Sequence, residues 1–390
     1  MKNTEEQVSL WNKSYIFLIV TNLFTAMGFN MVYVMISNYA MTVQASLAIA
    51  GLISGVFSIA ALIVRPFAGM SADLLNKKNL CILSNIIMGL SVVGYGFSDQ
   101  ISILLFFRIL HGIAFGLNST TNIALVTEYV PKERMGEGLG YYGIGQVIAQ
   151  VIGPNLGLII VERMGFQPLF LITASFSFIA VFMLLFFSYP KHTRGKDMPP
   201  MKLTLHSFVA KEVIVYTMVG GMFSFSNGIV NSFLILLGKE RQIANVGIFF
   251  SVGAIVLFGV RLLIGRLVDK KGLTLIVNIS LLITSISMVI IGAAPALSWL
   301  IVASVLKALG QGTGQISLQT ECVKRVDPGR IGVAMSTFYI GADIGQGLGP
   351  IFGGEISDRY NYLVMYSVCA AFLLFTMLIF NIYQKQKRHN

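Results

Sequence analysis

The sequence is poor in charge, since Asp, Glu, Lys and Arg make up only 12% of its 390 residues, against about 25% in soluble proteins. With 55% hydrophobic residues, a soluble fold would have too few polar groups to cover its surface. The three cysteines lie in or beside apolar runs and predict no disulfide framework. The chain also lacks an H-E-x-x-H sequence, a Walker A sequence and a metal-ligand cluster, so we expect no cofactor and no metal. These absences argue against a soluble enzyme, a secreted disulfide scaffold and a nucleic-acid partner.

Long apolar runs fill most of the chain. A run of about 20 apolar residues is long enough to cross the hydrocarbon core of a bilayer as a helix, whereas a membrane barrel would show short alternating segments. The sequence therefore predicts an all-α integral membrane protein that lies in a lipid bilayer. The twelve predicted spans are 15–37, 45–70, 79–97, 101–124, 136–160, 168–189, 212–237, 245–267, 273–293, 297–319, 331–354 and 362–383.

The basic residues indicate how the chain is oriented. Of the 28 Lys and Arg residues, 19 lie at the termini or in even-numbered loops, four in the opposite loops and five within spans or at their ends. Because loops rich in Lys and Arg stay in the cytoplasm, both termini are predicted to be cytoplasmic. The first span is too long for a signal-peptide core and is not followed by an A-x-A-like cleavage site, so we expect it to be retained.

The longest segment between spans divides the chain into two halves. It covers 190–211, is basic, and carries the Pro199-Pro200 pair, a composition typical of a linker. The predicted domains are thus an amino-terminal six-helix bundle at 1–189, a cytoplasmic linker at 190–211 and a carboxy-terminal six-helix bundle at 212–390.

The two halves are related by a repeat of 196 residues without gaps. In this register Arg65 aligns with Arg261, Gly136 with Gly332 and Gln150 with Gln346, and further matches follow the same order. Parallel six-helix repeats are one of the designs of secondary transporters, whose substrate site lies between the repeats near the middle of the membrane.

Three motifs carry a resemblance to a known family. The segment that starts at Gly69, and its second copy at Gly265, resemble the loop signature of the major facilitator superfamily, and Arg108-Ile-Leu-His111-Gly112 is similar to its arginine motif. Gly153-Pro154 resembles the signature of its proton-antiporting exporters. The resemblance implies twelve transmembrane helices in two pseudo-symmetric bundles, a cavity lined by spans 1, 4, 7 and 10, alternating access and a working monomer. It also makes the cytoplasmic membrane of a bacterium the expected location.

The same resemblance implies a set of gating residues. The loop motifs would form a gate that locks the outward-open state, with Glu128 as the acidic partner of the lysines. The alternative for each loop copy is an ordinary positively charged loop, and the alternative for the glycines is packing alone. The candidate gating residues are Gly69, Asp73, Lys77, Glu128, Gly153, Pro154, Gly265, Asp269, Gly349 and Pro350.

Polar side chains inside the spans are the candidates for substrate binding, because intramembrane charge is costly and is by default functional. Arg108 and His111 share a face of span 4, while Lys307, Gln311 and Gln315 recur every four residues on span 10. His111 and Lys307 are aligned by the repeat. As alternatives, Arg108 could support a helix bend and His111 could be a neutral packing residue. Neutral candidates are Asn30, Gln146, Asn227 and Asn231, which could equally be interhelical contacts.

Asp343 is the one acid deep within an apolar span and points away from the adjacent glycines of span 11. It could pair with Lys307 in a fixed ion pair or carry a proton, as could His111. Span 1 has no acid, unlike that of many proton-coupled multidrug exporters. We therefore expect proton-coupled efflux of a small-molecule solute, preferably anionic or zwitterionic. The alternatives are an organic-anion uptake symporter or exchanger, and a multidrug exporter of broader specificity.

Overall fold

The computed structural model describes residues 10–131, 134–189, 210–327 and 330–389. At positions 73, 135, 136, 140, 261–271, 331, 332 and 387–389 it describes the backbone only. Within these ranges the chain forms twelve long helices, which confirms the predicted number of spans. They are α1 Lys13–Thr42, α2 Leu47–Leu74, α3 Lys77–Gly96, α4 Ile101–Thr127, α5 Met135–Met164, α6 Phe166–Phe186, α7 Ile214–Glu240, α8 Ile248–Lys271, α9 Leu273–Ala293, α10 Leu297–Lys324, α11 Ile331–Arg359 and α12 Tyr362–His389.

Short polar residues and glycines set where several of these helices begin. The side chains of Asn12, Ser46 and Asn76 accept hydrogen bonds from backbone N–H groups in the first turns of α1, α2 and α3, groups that would otherwise lack partners. Gly165 joins α5 to α6 with φ +87°, and Gly272 joins α8 to α9 with φ +80°. Only glycine adopts this backbone region without strain, so each pair of helices reverses direction at a single residue.

Most helices are apolar along their length and present large side chains outward. In the described part of the chain, nine helices are long and apolar enough to span a membrane, and the part of α8 whose side chains are described, Ile248–Val260, is apolar as well. The helices α10 and α11 are less apolar because they carry charged and amide side chains that face the space between the bundles, among them Lys307, Gln311 and Asp343. Outward-facing side chains such as Phe67, Phe182 and Phe375 are about 60% exposed, as expected for a surface in contact with lipid.

The helices form two six-helix bundles with the same internal arrangement. In the first bundle α1 packs on α5, α2 on α4, and α3 on both α4 and α6. In the second bundle α7 packs on α11, α8 on α10, and α9 on both α10 and α12. The two bundles meet chiefly through α2 with α11, α5 with α8 and α1 with α7. The domain boundary that we predicted within 190–211 lies almost wholly outside the described residues.

The contacts between the bundles identify which side of the molecule is closed. We call the side where α1 begins and α12 ends the terminal side, and the opposite side, which carries the α1–α2 turn, the distal side. Close to the distal side, the amide N–H of Leu47 donates to Asp358 Oδ1 over 3.1 Å and Lys239 Nζ donates to Asn38 Oδ1 over 2.9 Å. The structure is therefore a state in which the bundles are closed against each other on the distal side.

Candidate functional site

A cavity of about 410 Å³ lies between the bundles. Side chains from both bundles line it, and they come from α1, α2, α4 and α5 on one side and from α7, α8, α10 and α11 on the other. The resemblance implied a lining from spans 1, 4, 7 and 10. The structure adds their neighbours α2, α5, α8 and α11, which are also the helices through which the bundles meet.

Lys307 is the basic residue of the second bundle that lines this cavity. It is buried, and its Nζ donates to Asn227 Oδ1 over 2.8 Å and to Gln311 Oε1 over 2.7 Å. An ammonium group has three donors, and both of these acceptors are uncharged amides. Lys307 has no acidic partner among the described residues. It lies ten residues into α10, about 15 Å from the distal end of the helix at 1.5 Å per residue, so it is near the middle of the membrane.

Asp343 also lines the cavity, but its partner is not Lys307. Its Oδ2 lies 2.5 Å from Arg65 Nε, and Arg65 Nη2 donates to Oδ1 over 3.3 Å. Both side chains are less than one-third exposed, at 27% for Arg65 and 17% for Asp343. Arg65 belongs to α2 and Asp343 to α11, so this ion pair joins the two bundles. Arg65 lies nine residues before the end of α2, about 14 Å from the terminal side.

Arg108 and His111 do not line the cavity, contrary to our expectation for both. Arg108 is completely buried within the first bundle; its Nε donates to the carbonyl oxygen of Ile53 over 3.1 Å, and its Cζ lies 4.3 Å from the centre of the Phe57 ring. His111 is buried as well, with Nδ1 at 2.8 Å from the hydroxyl of Tyr95. Phe57, which does line the cavity, packs edge-on against His111. A side chain of α2 thus stands between these two residues and the cavity.

The other predicted binding residues line the cavity as expected. They are Asn30, Gln146, Asn227, Asn231, Gln311 and Gln315. Four of them have partners within their own bundle, one being Gln311, which accepts from Lys307 as described above. Asn30 Nδ2 donates to the carbonyl of Ala26 over 2.8 Å and Gln315 Nε2 to Ser224 Oγ over 3.0 Å, while Asn227 Oδ1 accepts from Lys307.

Sequence reasoning missed Arg65 and the aromatic wall of the cavity. Arg65 was visible as an aligned residue of the repeat, but it lay close to the loop motif. Of the wall's aromatic side chains, Phe115 was marked by its spacing, on the face of span 4 that carries Arg108 and His111. The others gave no signal, because phenylalanine is common throughout membrane helices. The wall consists of Phe29, Tyr33, Phe57, Phe115, Phe249 and Phe250, and Phe29 stacks on Phe115 with ring centres 4.5 Å apart.

Small residues close the distal side. Gly51 on α2 faces the carbonyl oxygen of Pro350 and the Cα of Gly354, and Gly55 faces the carbonyl oxygen of Gly347. Across the corresponding α5–α8 contact, Ser251 Oγ donates to the carbonyl of Val151 over 2.5 Å. The predicted gating residues Gly153 and Gly349 pack within their own bundles, against Asn30 and Phe225 respectively, whereas Pro154 lines the cavity.

On the terminal side the first loop motif is partly as predicted. Lys77 Nζ lies 2.7 Å from Glu128 Oε1, the pairing expected from the sequence. Gly69 is not at a close helix crossing, since a Cβ added there would meet no described atom within 4 Å. The physical reason is that the bundle contacts described above lie toward the distal side. The side chains of Asp73 and Asp269, and the surroundings of Gly265, lie outside the described residues.

A membrane protein of two matched helical bundles, with a polar cavity at their interface that is closed on one side, belongs to the class of alternating-access carriers. Residues 18–337 and 218–390 match the family model described as Major Facilitator Superfamily. The chain is a member of the Major Facilitator Superfamily, and hence a multi-pass membrane transporter of small solutes and not an enzyme.

Relatives and solved structures agree with this assignment. The chain is 28% identical over 341 residues to YuxJ of Bacillus subtilis (strain 168), an uncharacterized MFS-type transporter, covering 83% of this chain and 85% of the relative. It is 26% identical over 356 residues to PmrA of Streptococcus pneumoniae serotype 4, named a multi-drug resistance efflux pump, covering 87% and 88%. Among solved structures, the nucleoside transporter NupG superposes with a TM-score of 0.80 at 15% identity, covering 95% of this chain and 99% of NupG. That likeness shows the fold.

Proposed function

We propose that this transporter exports a small organic solute, anionic or zwitterionic, in exchange for protons. The solute would bind in the cavity between the bundles, and the bundles would then rock to expose it on the other side. The terminal side would be the cytoplasmic side of a bacterial cytoplasmic membrane, and the working unit a monomer. PmrA, which is named as an efflux pump, supports export as the direction.

The observation that carries the solute class is the surroundings of Lys307. Its Nζ has two neutral amide acceptors and room for a third. The acid that could have neutralised it, Asp343, is paired with Arg65 instead. A carboxylate of the solute would complete the donor set of Lys307 and supply the missing counter-charge, and charge-assisted hydrogen bonds of this kind are about twice as strong as neutral ones.

The Arg65–Asp343 pair supports proton coupling. Proton uptake by Asp343 would remove the charge that holds Arg65, so the link between α2 and α11 would weaken at the moment of protonation. Because both residues line the cavity that would hold the solute, solute binding and proton binding would act on the same interface. His111 enters this proposal only as a support, since Phe57 separates it from the cavity.

The aromatic wall favours one alternative, a multidrug exporter of broader specificity. Rings on α1, α2, α4 and α8 give the cavity a large apolar surface that contacts flat solutes regardless of their charge. The two proposals differ in what Lys307 does. It would select the solute in the first and would be dispensable in the second.

The test is a flux assay in proteoliposomes that contain an internal pH dye. Three solutes share one ring and differ in charge: benzenesulfonate, phenylalanine and benzyltrimethylammonium. We expect proton movement coupled to the anionic or zwitterionic solute, lost in Lys307→Gln and retained in Lys307→Arg. Asp343→Asn would uncouple the proton, whereas Asp327→Asn, at an exposed acid outside the cavity, would act as wild type.

The outcome also separates the alternatives. If the cation alone is moved, or if Lys307→Gln transports all three solutes as wild type does, the anion proposal is wrong and the multidrug alternative stands. The sign of the proton movement distinguishes antiport from uptake by symport. Solute movement without protons, unaffected by Asp343→Asn, would contradict proton coupling.

A further inference from the structure

Arg108 has more hydrogen-bond donors than the described protein supplies acceptors. It is 0% exposed, and its Nε donates to the carbonyl oxygen of Ile53. Its Nη1 and Nη2 are buried and have no acceptor at hydrogen-bond distance and angle in the described part of the chain. The hydroxyl of Tyr95 interacts with the guanidinium and lies 2.8 Å from His111 Nδ1. A guanidinium has five N–H donors in a planar fork, so this one neutral hydroxyl leaves most of the four donors at the outer end unmet.

The internal repeat shows what the structural role of this position requires. The residue aligned with Arg108 in the second bundle is Ser304, and the residue aligned with Ile53 is Phe249. Ser304 Oγ donates to the carbonyl oxygen of Phe249 over 2.6 Å, the same link between the fourth and second helices of its bundle. A neutral hydroxyl is therefore sufficient to link the two helices at this position. The outer end of the Arg108 side chain, with its charge and its Nη donors, is not needed for that link.

The buried cation stands at a different aligned position in each half of the repeat. In the first bundle the cation is at position 108 and a histidine is at 111, while in the second bundle a serine is at 304 and the cation is Lys307. Each bundle thus carries one buried cation on its fourth helix, one helical turn apart in the aligned sequences. Arg108 and Lys307 are therefore not two copies of one site.

An unpaired buried guanidinium is costly in a membrane protein. Removing an ion from water carries a large penalty that a counter-charge and satisfied donors must offset. The Phe57 ring, with Arg108 Cζ 4.3 Å from its centre, gives a cation–π contact of about 0.5–2 kcal/mol. This contact and the neutral hydroxyl of Tyr95 supply no counter-charge. Buried polar groups without protein partners are normally satisfied by water or an ion, and here the group is charged.

We propose that the Nη groups of Arg108 form a second anion-binding subsite, behind the cavity wall made by Phe57 and Tyr33. The ligand class is a small monovalent anion, a carboxylate or a halide, because the fork of a guanidinium presents parallel N–H donors to such acceptors. Phe57 lines the cavity and also covers Arg108, so a rotation of its side chain is the entry route. The subsite does not depend on which solute the carrier moves.

The test measures binding of bromide and of acetate to the full-length purified protein. Each anion is titrated by replacing the salt of a bulky sulfonate, so that the ionic strength stays constant. The melting temperature of the protein in detergent is recorded at each concentration. We expect saturable stabilisation of wild type by at least one of the two. The bromide arm reports the free inorganic ion and the acetate arm the carboxylate. Bromide-soaked crystals should show anomalous scattering beside the Nη atoms of Arg108, a readout that needs no variant.

Two substitutions assign the effect. Arg108→Ser copies the aligned Ser304, so it should keep the helix link while weakening anion binding about tenfold or more, the loss expected for charge-assisted hydrogen bonds. Lys307→Gln removes the cavity cation, which the proposed function makes a carboxylate site of its own, so the comparison is made in that background. Lys307→Gln alone should keep saturable stabilisation by the anion, and Arg108→Ser added to it should abolish that stabilisation. The proposal is overturned if neither anion stabilises wild type, if Arg108→Ser leaves the titration of Lys307→Gln unchanged, or if bromide is found only beside Lys307. The readout is binding at Arg108 and not transport, so failure of the proposed export would leave it unaffected.

Discussion

The distal contact between α2 and α11 gives a prediction with a definite sign. A Cβ added to Gly51 would overlap the carbonyl oxygen of Pro350 and would lie 3.0 Å from the Cα of Gly354. All of these neighbours are backbone atoms or lack flexible side chains, so the helices themselves must separate. Overpacking of this kind costs about 1–3 kcal/mol. The cost falls only on the state that is closed on the distal side, because alternating access requires α2 and α11 to separate there.

We therefore expect Gly51→Ala to shift the population toward the distal-open state by about 5- to 150-fold, the factor that corresponds to 1–3 kcal/mol. Spin labels at Phe97 and Tyr360, which are 72% and 70% exposed at the distal ends of the two bundles, report the distance between them by pulsed electron paramagnetic resonance. The three native cysteines, all buried, are replaced by alanine. The expected result is a longer distance population in Gly51→Ala.

The matched control is Gly143→Ala on α5. A Cβ there meets no described atom within 4 Å, so the same chemical change should leave the distance distribution as in wild type. If Gly51→Ala and Gly143→Ala give the same distribution, the distal glycine contact does not hold this state closed and the reasoning is refuted. If Gly51→Ala shortens the distance, the assignment of the closed side is wrong.

Two ion pairs give further predictions. For Arg65 and Asp343, a double-mutant cycle of Arg65→Gln and Asp343→Asn in reversible detergent unfolding should give a coupling energy of about 1–3 kcal/mol. The double variant should be more stable than the sum of the single effects predicts, because removing one partner alone leaves a part-buried charge unpaired. Additive effects would contradict the pair. For Lys77 and Glu128, the side chain of Lys77 is 11% exposed and that of Glu128 37%. Glu128→Gln should therefore cost about 1–3 kcal/mol of unfolding free energy, because it leaves a mostly buried ammonium without its counter-charge, and the exchange Lys77→Glu with Glu128→Lys should restore part of that loss. An unchanged unfolding free energy in Glu128→Gln would contradict a stabilising pair.

The helices and the faces within each helix were predictable from the sequence. Apolar runs of membrane-spanning length admit few other structures, because backbone polar groups in lipid must be satisfied within the helix. Spacing by four residues correctly placed Gln311 beside Lys307, and it placed Asp343 away from the glycines of α11, which pack on α7. These inferences use only the geometry of one helix, which sequence carries directly.

The pairings between helices were not predictable in the same way. Asp343 was considered for a pair with Lys307, but its partner Arg65 is 278 residues away and belongs to the other bundle. Arg108 was placed correctly on its helix face, yet the ring of Phe57 from α2 lies between that face and the cavity. Both outcomes depend on how far one helix is displaced along another, and a repeat in a single sequence gives no measure of that displacement.

The composition of the bundle interface bears on how the carrier could change state. In a bilayer, moving an apolar side chain from contact with lipid to contact with another helix changes its free energy little. Helices therefore associate through close packing and hydrogen bonds. The distal contact is made by glycine backbones and a few hydrogen bonds at Leu47, Lys239 and Ser251. Each such contact contributes on the order of 1 kcal/mol. The closed state is therefore stabilised by a few contacts of about 1 kcal/mol each. A ligand whose binding free energy differs between the two states by a similar amount can shift the equilibrium between them. A counter-charge bound at Lys307, on one wall of that interface, is a contact of that size.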